Sequence, residues 1–249
     1  VCVLQEEMIG VWKKGAIGVN LLQLVYDFLF PLPPVCPICL KRQPRLQICQ
    51  ECRAEALQKR SVYGQCQRCH SFGVCSAQCR TCRDWPAYLA GNIALWPYQQ
   101  NWQQVILDFK FRNKPWLAEV LAEELAPLLP NDYDVLVSVP LHPKRLRERG
   151  YNQSTLLARG LSAKSGIPFW DCLRRVRNTP HQTGLNRNQR LHNLDGAFTL
   201  KAGVRITGKK ILLVDDVFTT GSTLRACAGV LHRYGATQIK GICLAAGHD

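Results

Sequence analysis

The stretch that decides the fold of this chain runs Ile211-Leu212-Leu213-Val214-Asp215-Asp216-Val217-Phe218-Thr219-Thr220-Gly221-Ser222-Thr223. Four apolar residues lead into two carboxylates, and these lead into a small turn rich in hydroxyl groups. The apolar run is typical of a parallel strand that is covered on both faces. A helical pattern follows, and its apolar face is formed by Leu224, Cys227, Val230 and Leu231. The stretch therefore predicts a buried strand, a loop and a helix in an α/β domain.

The turn from Thr219 to Thr223 has the chemistry of a phosphate-binding loop. Gly221 allows the backbone to approach an anion closely, the hydroxyls add donors, and the free N–H groups at the start of a helix point toward the anion. Ionised Asp215 and Asp216 repel a phosphate but accept hydrogen bonds from a sugar diol. A strand, an N-cap threonine and a helix also occur without any ligand. The two adjacent acids before Thr-Thr-Gly favour a ribose 5-phosphate site over that alternative.

These residues resemble the sequence motif of type I phosphoribosyltransferases, which bind 5-phosphoribosyl 1-diphosphate (PRPP). The resemblance implies that Asp215 and Asp216 are catalytic residues that hold the ribose hydroxyls. It also implies a set of ligand-binding residues around the 5-phosphate, namely Val217, Phe218, Thr219, Thr220, Gly221, Ser222 and Thr223. We expect magnesium to accompany the diphosphate, because this ion prefers phosphate oxygens and few carboxylates.

The composition favours a phosphorylated ligand or a polyanionic partner. The 249 residues include 32 Lys or Arg and 18 Asp or Glu, so the formal net charge is +14. Such a length allows one substantial core and a small additional module. Between His142 and His192, eleven Lys or Arg are opposed only by Glu148 and Asp171. A solvated basic surface would also explain this cluster, but such surfaces normally mix both signs of charge.

The middle of the chain predicts further α/β elements: a strand over 85–96, helices over 99–111 and 115–129, and a second buried strand over 135–140. A basic loop over 141–153 follows that second strand, and ligands bind at the carboxyl ends of parallel strands. We expect three side chains of this loop to neutralise a diphosphate: Lys144, Arg145 and Arg147. The hydrophilic segment 178–193 predicts a long loop or lid, in which Arg187 or Arg190 would close over the ligand.

Ten of the thirteen cysteines lie before residue 83 and form an internal repeat. Two C-x2-C pairs separated by nine residues occur twice, with an offset of 30 residues at all four positions. A C-x2-C turn places two thiolates on one face of a tetrahedron, and a second turn completes four sulfur ligands. The repeat predicts one or two structural zinc ions held by Cys36, Cys39, Cys49, Cys52, Cys66, Cys69, Cys79 and Cys82.

Other interpretations of the cysteines remain open at this point. Disulfides would require an oxidising compartment, and Cys66-Gln67-Arg68-Cys69-His70 matches a haem-attachment pattern. Each pair could bind metal within its own repeat unit or together with the matching pair of the other unit. Cys75 could replace Cys79 as a ligand.

The apolar segment from Ile17 to Val35 does not predict a membrane span. It contains Asn20, Gln23, Asp27 and three prolines, which are too many interruptions for a span of about 20 residues. Lys13-Lys14 weakly resembles the start of a signal peptide, but no convincing cleavage site follows. We expect an amphipathic helix here, with an apolar face formed by Leu21, Leu22, Val25, Phe28 and Leu29.

Several short motifs occur together in an order that resembles the ComF/GntX family. They are Phe30-Pro31, the cysteine pairs, Asp108-Phe109-Lys110-Phe111, Val139-Pro140-Leu141-His142-Pro143, Arg147-Glu148-Arg149-Gly150-Tyr151-Asn152-Gln153 and the stretch from Ile211. The resemblance covers roughly residues 25–246. It implies a cytoplasmic protein of DNA uptake, acting in natural competence or in the use of external DNA as a nutrient. For a protein of this kind we expect other DNA-uptake proteins, such as a helicase, as partners, and the basic patch adds single-stranded DNA.

The expected fold class is α/β: a type I phosphoribosyltransferase-like parallel sheet with helices on both faces, preceded by a small double zinc-ribbon or knuckle module. The expected domains are an N-terminal extension over 1–34, a zinc-binding module over 35–84 and a phosphoribosyltransferase-like domain over 85–249.

Three functions fit this organisation. The first is a phosphoribosyltransferase with an unidentified acceptor. Since few residues follow the last predicted strand (239–244), we expect the zinc module to supply its acceptor site. The second is a factor that handles single-stranded DNA through its basic patch, with bases stacked on Tyr151, Trp170 or Trp85. The third is a regulatory module that binds PRPP without turnover.

Overall fold

The computed structural model describes residues 34–74, 79–179 and 194–247. The predicted N-terminal amphipathic helix, Cys75, and the part of the predicted lid that contains Arg187 and Arg190 lie outside these residues.

The described part of the chain alternates strands and helices. The strands are β1 (Leu89–Pro97), β2 (Val135–Ser138), β3 (Phe169–Trp170), β4 (Leu173–Arg175), β5 (Phe198–Leu200), β6 (Lys210–Phe218) and β7 (Gln238–Ala246). The helices are α1 (Gln50–Tyr63), α2 (Gln100–Phe111), α3 (Leu117–Leu125, followed by a 3₁₀ turn at Ala126–Leu128), α4 (Pro143–Arg149), α5 (Gln153–Ser165) and α6 (Ser222–Arg233).

A parallel sheet of five strands, ordered β1-β7-β6-β2-β3, carries helices on both faces. Strand β6 lies at its centre and alternates between two hydrophobic cores. Ile211 and Leu213 pack on the face that α6 covers, whereas Leu212 and Val214 pack on the face covered by α2, α3 and α5. This arrangement confirms the α/β parallel sheet predicted from the apolar run. Strands β4 and β5 form a separate antiparallel pair.

The central strand is longer than predicted. It continues through both acids to Phe218, because β7 runs beside it and pairs Asp215 with Cys243 and Phe218 with Ala246. The carboxylates therefore extend from a strand held on one side by its neighbour and do not lie in a loop. Strand β1, by contrast, begins at Leu89, later than predicted.

The basic segment predicted as a loop contains the helix α4. Pro143 occupies its first turn, where a missing N–H has no cost, and the His142 side chain accepts a hydrogen bond from the Lys144 amide at 3.2 Å. Gly150 ends the helix with a left-handed φ of 83°. Helical spacing places Arg145 and Arg149 on one side, which determines which basic side chains reach the site described below.

Within the residues that the structure describes, no helix has both the length and the apolar character needed to cross a bilayer.

Candidate functional site

The two acids of β6 are held by different partners. Asp215 Oδ1 accepts a hydrogen bond from the Ser154 hydroxyl at 3.0 Å and another from the Asp216 amide at 2.9 Å. Asp216 Oδ1 lies 2.7 Å from the Lys110 ammonium, in an ion pair whose side chains are 13% and 18% exposed. Strand β6, helix α5 and helix α2 therefore meet at this pair of carboxylates.

The surroundings of the acids perturb their titration. Burial raises the pKa of Asp215 to about 7; the charge of Asp216 adds to this rise, and that of Lys110 opposes it. Burial disfavours the charged form of Lys110, but Asp216 outweighs this effect and raises the pKa of the ammonium. Perturbed carboxylates in a cleft are typical of functional sites.

The turn after β6 presents donors at the start of α6. Gly221 adopts a φ of 70°, and a Cβ atom there would lie 2.9 Å from Cζ2 of Trp85. The position therefore requires glycine both for its conformation and for its close packing. The hydroxyls of Thr220 and Ser222 lie 3.0 Å apart. This geometry leaves backbone amides and hydroxyls at a helix start, which is a favourable place for an anion.

The acids and the turn share a cleft of about 430 Å³. Its residues come from the end of β1, α2, the β2–α4 connection, α4, α5, β4, β6, and the turn that leads into α6. They are Tyr98, Leu107, Lys110, Phe111, Val139, Pro140, Leu141, Arg145, Arg149, Ser154, Arg175, Asp215, Asp216, Val217, Thr219 and Thr223. Described residues before Tyr98, those of the cysteine module included, do not line it. The expectation that the cysteine module supplies the acceptor side therefore finds no support in these residues.

The structure separates the sequence-predicted ligand residues into two groups. Val217, Thr219 and Thr223 line the cleft. The others do not: Gly221 and Ser222 line a small neighbouring cavity, Thr220 lines neither space, and Phe218 is buried against Trp85 with ring centroids 5.8 Å apart. Among the basic residues, Arg145 lines the cleft, whereas Lys144 and Arg147 are exposed on α4 and do not.

The sequence analysis does not identify four of the cleft's charged or hydroxyl-bearing aliphatic side chains as site residues: Lys110, Arg149, Ser154 and Arg175. Arg149 could have been found from its helical spacing to Arg145. Arg175 is 8% exposed, donates to the hydroxyl of Thr179 and lies over the ring of Phe198. The Asp108–Phe111 motif could have drawn attention to Lys110, although its partner Asp216 lies 106 residues away. Nothing local in the sequence distinguishes Ser154, because its partner lies 61 residues away.

Of the three residues proposed for base stacking, Trp85 is buried and the other two are partly buried. Trp85 is 5% exposed. The Tyr151 hydroxyl donates to the carbonyl oxygen of Phe109 at 2.6 Å, so this side chain serves to fix the end of α2. Trp170 is partly buried in β3.

The cysteines form two separate groups of four, each within one repeat unit: Cys36, Cys39, Cys49 and Cys52, and Cys66, Cys69, Cys79 and Cys82. In this structure, a metal ion would therefore be held by four cysteines of one repeat unit and not by pairs from both units. The Sγ–Sγ distances include 3.9 Å for Cys36–Cys52 and 3.5 Å for Cys66–Cys82. A tetrahedron with metal–sulfur bonds of about 2.3 Å has edges of about 3.8 Å, so both groups could hold a metal ion.

The two units repeat in backbone geometry as well as in sequence. Leu40 and His70, 30 residues apart, both have a left-handed φ, of 61° and 57°. In each unit the amide of the first cysteine bonds to the carbonyl five residues later, at 2.9 Å. Burial opposes ionisation of Cys36 and Cys66, but backbone N–H donors outweigh it and lower the pKa of each thiol to about 7. These amide donors stabilise thiolates, the form that binds a metal.

The cysteine groups pack against opposite faces of the sheet. Cys36, Cys49 and Cys52 belong to the core that contains α2, α3 and α5, whereas the second group belongs to the core under α6. Strand β1 contacts the second unit closely: the Asn92 amide bonds to the Arg68 carbonyl at 2.9 Å, and a Cβ at Gly91 would lie 2.5 Å from that oxygen. The second cysteine unit is therefore packed directly against this edge strand of the sheet.

Comparison with known proteins agrees with this geometry. The model of the phosphoribosyl transferase domain matches residues 118–249. The DNA utilization protein YhgH of Salmonella typhi is 32% identical over 231 residues, which cover 87% of this chain and 98% of that protein. The competence protein ComFC of Streptococcus pneumoniae is 30% identical over 197 residues, covering 78% and 84%.

Two further matches are partial. Competence protein F of Haemophilus influenzae is 35% identical over 147 residues, which cover 55% of this chain and 64% of that protein. Among solved structures, the glutamine PRPP amidotransferase from B. subtilis covers 55% of this chain at 23% identity, with a TM-score of 0.39 and 30% of its own length matched. Together, the sheet, the family model and the full-length relatives show that this chain belongs to the ComF/GntX family, whose fold is that of the type I phosphoribosyltransferases.

Proposed function

We propose that the cleft at the end of β6 binds PRPP with magnesium. One observation carries this proposal: two adjacent carboxylates at a strand end share a cleft with a hydroxyl-bearing turn and a helix start. Carboxylate oxygens accept hydrogen bonds from a diol, and the turn donates to a phosphate. A ribose 5-phosphate unit carries both of these groups, a diol and a phosphate.

The cleft residues divide the ligand between them. Asp215 and Asp216 hold the ribose hydroxyls, and the turn from Thr219 to Thr223 holds the 5-phosphate. Arg145, Arg149 and Arg175 neutralise the diphosphate. When bound, magnesium supplies positive charge to the diphosphate oxygens. Lys144 and Arg147 take no part in ligand binding on this account, because they are exposed outside the cleft.

A transfer reaction at this site would depend on positioning and charge stabilisation. Departure of diphosphate from the anomeric carbon leaves positive charge on the sugar, and the carboxylates beside the ribose would stabilise that charge. The acceptor would enter beside Tyr98, Leu107 and Phe111, which are three of the apolar and aromatic residues of the cleft. Binding without turnover, the regulatory alternative, would use the same contacts.

A thermal unfolding assay tests PRPP binding. A ligand that binds only the native state raises Tm by mass action. We expect PRPP with magnesium to raise Tm, and Asp216→Asn to reduce that rise strongly. Asp171→Asn is the matched control, since Asp171 is exposed and pairs with Lys201 at 2.7 Å. An equal ligand-induced rise in wild type and Asp216→Asn would contradict the assigned role of Asp216.

We further propose that each cysteine group binds one structural zinc ion. The tetrahedral sulfur spacing and the burial of seven of the eight thiols support this assignment. Metal analysis of purified protein is expected to give two zinc ions per chain. Less than half an ion per chain would refute the assignment.

We propose a role in DNA uptake or in the use of external DNA, on the cytoplasmic side. This proposal rests on the named relatives, which are competence and DNA utilization proteins. DNA-uptake partners such as a helicase remain a prediction.

A second candidate function, binding of single-stranded DNA, is favoured by a specific surface. Lys144, Arg147, Arg174 and Arg177 are exposed around α4 and β4, and Arg145 connects these elements by donating to the Thr179 carbonyl at 2.7 Å. Clustered exposed Lys and Arg side chains bind nucleic-acid phosphates with an affinity that falls steeply as salt concentration rises. Lys144→Gln with Arg147→Gln is expected to weaken oligonucleotide binding and to leave PRPP binding unchanged. Unchanged oligonucleotide binding would refute this surface.

A further inference from the structure

A groove along α6 forms a second concave surface, separate from the cleft at the end of β6. It has a volume of about 380 Å³, and none of its described lining residues lines the cleft. These residues come from three places: Pro86 and Tyr88, the segment 194–198, and α6 itself. We call this surface the α6 groove. Sites for small molecules have volumes of about 300–1,000 Å³, so the α6 groove is large enough for a small organic ligand.

Gly229 lies in the interior of α6 and lines the groove. A glycine inside a helix destabilises it relative to alanine, because glycine loses more backbone freedom on folding. At Gly91, a Cβ would lie 2.5 Å from a backbone carbonyl oxygen. At Gly229, its nearest contacts would be ordinary ones, to Tyr88 Oη at 3.7 Å and Arg233 Nη1 at 3.8 Å. The ligand-free fold therefore does not require glycine here, whereas a ligand that approaches the helix backbone would.

Two hydrogen-bond donors lie over this glycine, since Tyr88 Oη and Arg233 Nη1 are both near the same Cβ position. Arg225 precedes Gly229 by one helical turn and Arg233 follows it by one turn, so both arginines lie along one stripe of α6. In the part of the chain that the structure describes, the Tyr88 hydroxyl and the two guanidinium groups have no hydrogen-bond or ion-pair partner. Asp195 is the single acid among the lining residues, so the groove has a net positive charge. This arrangement favours an anionic ligand.

The position of the Tyr88 hydroxyl is fixed by the second cysteine unit and by α6. The Arg68 guanidinium donates to the carbonyl oxygens of Trp85 and Leu89, at 3.3 and 3.1 Å, on either side of Tyr88. The Tyr88 ring stacks on His232 with ring centroids 4.0 Å apart. Because the hydroxyl is held in place in the ligand-free protein, its use in binding costs little side-chain entropy.

Apolar side chains complete the lining of the groove: Pro86, Leu194, Phe198, Ala226 and Val230. An apolar lining with a few placed polar groups is typical of sites for organic ligands. We propose that the α6 groove is a second ligand site, which binds the phosphate of a nucleotide at Arg225, Arg233 and the Tyr88 hydroxyl, with its base on the apolar lining. A free nucleotide and a nucleotide within a single strand present the same two groups. This site is independent of PRPP binding in the cleft.

Titration calorimetry on the full chain tests this site, with adenosine 5′-monophosphate, ribose 5-phosphate and a short single-stranded oligonucleotide as probes. PRPP with magnesium is present throughout, so that the cleft is occupied when a probe is added. Arg233→Gln removes the charge beside Gly229, and Gly229→Leu fills the groove with a residue that favours a helix. Arg159→Gln is the matched control, because Arg159 is exposed on α5. Circular dichroism verifies the fold of each variant.

We expect adenosine 5′-monophosphate, the oligonucleotide or both to bind wild type, and to bind Arg233→Gln and Gly229→Leu about tenfold or more weakly. Arg159→Gln should bind as wild type does. Binding of the mononucleotide identifies a free nucleotide as the ligand, and binding of the oligonucleotide alone identifies a strand. Ribose 5-phosphate should bind more weakly than adenosine 5′-monophosphate, since it has no base.

Three results would overturn the inference. They are no binding of either nucleotide probe to wild type at millimolar concentration, equal binding to wild type and both groove variants, and an equal loss in Arg159→Gln and Arg233→Gln. Equal affinity for ribose 5-phosphate and adenosine 5′-monophosphate would overturn the assignment of a nucleotide. Failure of PRPP to bind wild type would contradict the proposed function alone, because the groove variants would still report on the α6 groove.

Discussion

Asp215→Asn is expected to stabilise the ligand-free protein, and to do so more at high pH than at low pH. The side chain is buried beside Asp216, and its pKa rises from an ordinary value of 3.8 to about 7. Because folding raises the pKa of Asp215, its charged form destabilises the folded protein at pH values above about 7. Protonation of Asp215 progressively removes this destabilisation as pH falls from about 7 toward 4. A shift of one unit between the unfolded and the folded pKa changes the free energy of unfolding by up to about 1.4 kcal/mol.

These values give the size of the effect. At pH 8 the charged carboxylate destabilises the fold by up to about 4 kcal/mol, and at pH 5 by about 1.5 kcal/mol. An asparagine Oδ1 can still accept from Ser154 and from the Asp216 amide, the two donors that Asp215 Oδ1 has now. The substitution therefore removes the charge without removing these hydrogen bonds.

Chemical denaturation at pH 5, 6, 7 and 8 measures this difference. The free energy of unfolding of Asp215→Asn minus that of wild type should grow by about 2–3 kcal/mol between pH 5 and pH 8. Asp171→Asn, at an exposed site, should show no such growth. A difference that is constant with pH, or a variant that is less stable than wild type at pH 8, would refute the electrostatic description of the acid pair.

Three further predictions concern other parts of the molecule. Cys66→Ser should reduce bound zinc, measured by elemental analysis, from two ions to one per chain. The control Cys172→Ala changes a buried cysteine outside both groups and should keep both ions. Two zinc ions per chain in Cys66→Ser would contradict the ligand assignment. Gly91→Ala should lower stability to denaturant by about 1–3 kcal/mol, because its Cβ would lie 2.5 Å from a backbone carbonyl of the second cysteine unit; a neutral effect would show that this edge relaxes easily. Arg149→Ala should weaken PRPP binding about tenfold or more. Arg147→Ala should leave it unchanged, because Arg149 lines the cleft and Arg147 does not. Equal effects of the two substitutions in calorimetry would contradict the assignment of these residues to different sides of α4.

Local patterns in the sequence predicted those features that depend on local chemistry. The apolar run before Asp215 predicted the central strand, because burial on both faces requires continuous apolar residues. The offset of 30 residues predicted two cysteine units with equivalent turns, and the left-handed Leu40 and His70 show that equivalence in the backbone. What remained open was the pairing of the cysteine groups, since both arrangements use the same spacing.

Features that depend on long-range contacts could not be predicted in this way. Lys110 meets Asp216 across 106 residues, and no periodicity encodes that contact. The sequence analysis predicts a loop for the basic segment 141–153, and this prediction is wrong for Pro143–Arg149. Pro143, the His142 cap and Gly150 nevertheless mark a short helix, and that helix directs Arg145 and Arg149, rather than Lys144 and Arg147, into the cleft.

Direct titration of PRPP with magnesium into wild type and Asp216→Asn measures whether the cleft binds PRPP through its acids. We expect one site per chain in wild type, with affinity at least tenfold lower in Asp216→Asn and unchanged in Asp171→Asn. The absence of measurable heat in wild type at millimolar PRPP, or equal affinity in wild type and Asp216→Asn, would contradict this expectation.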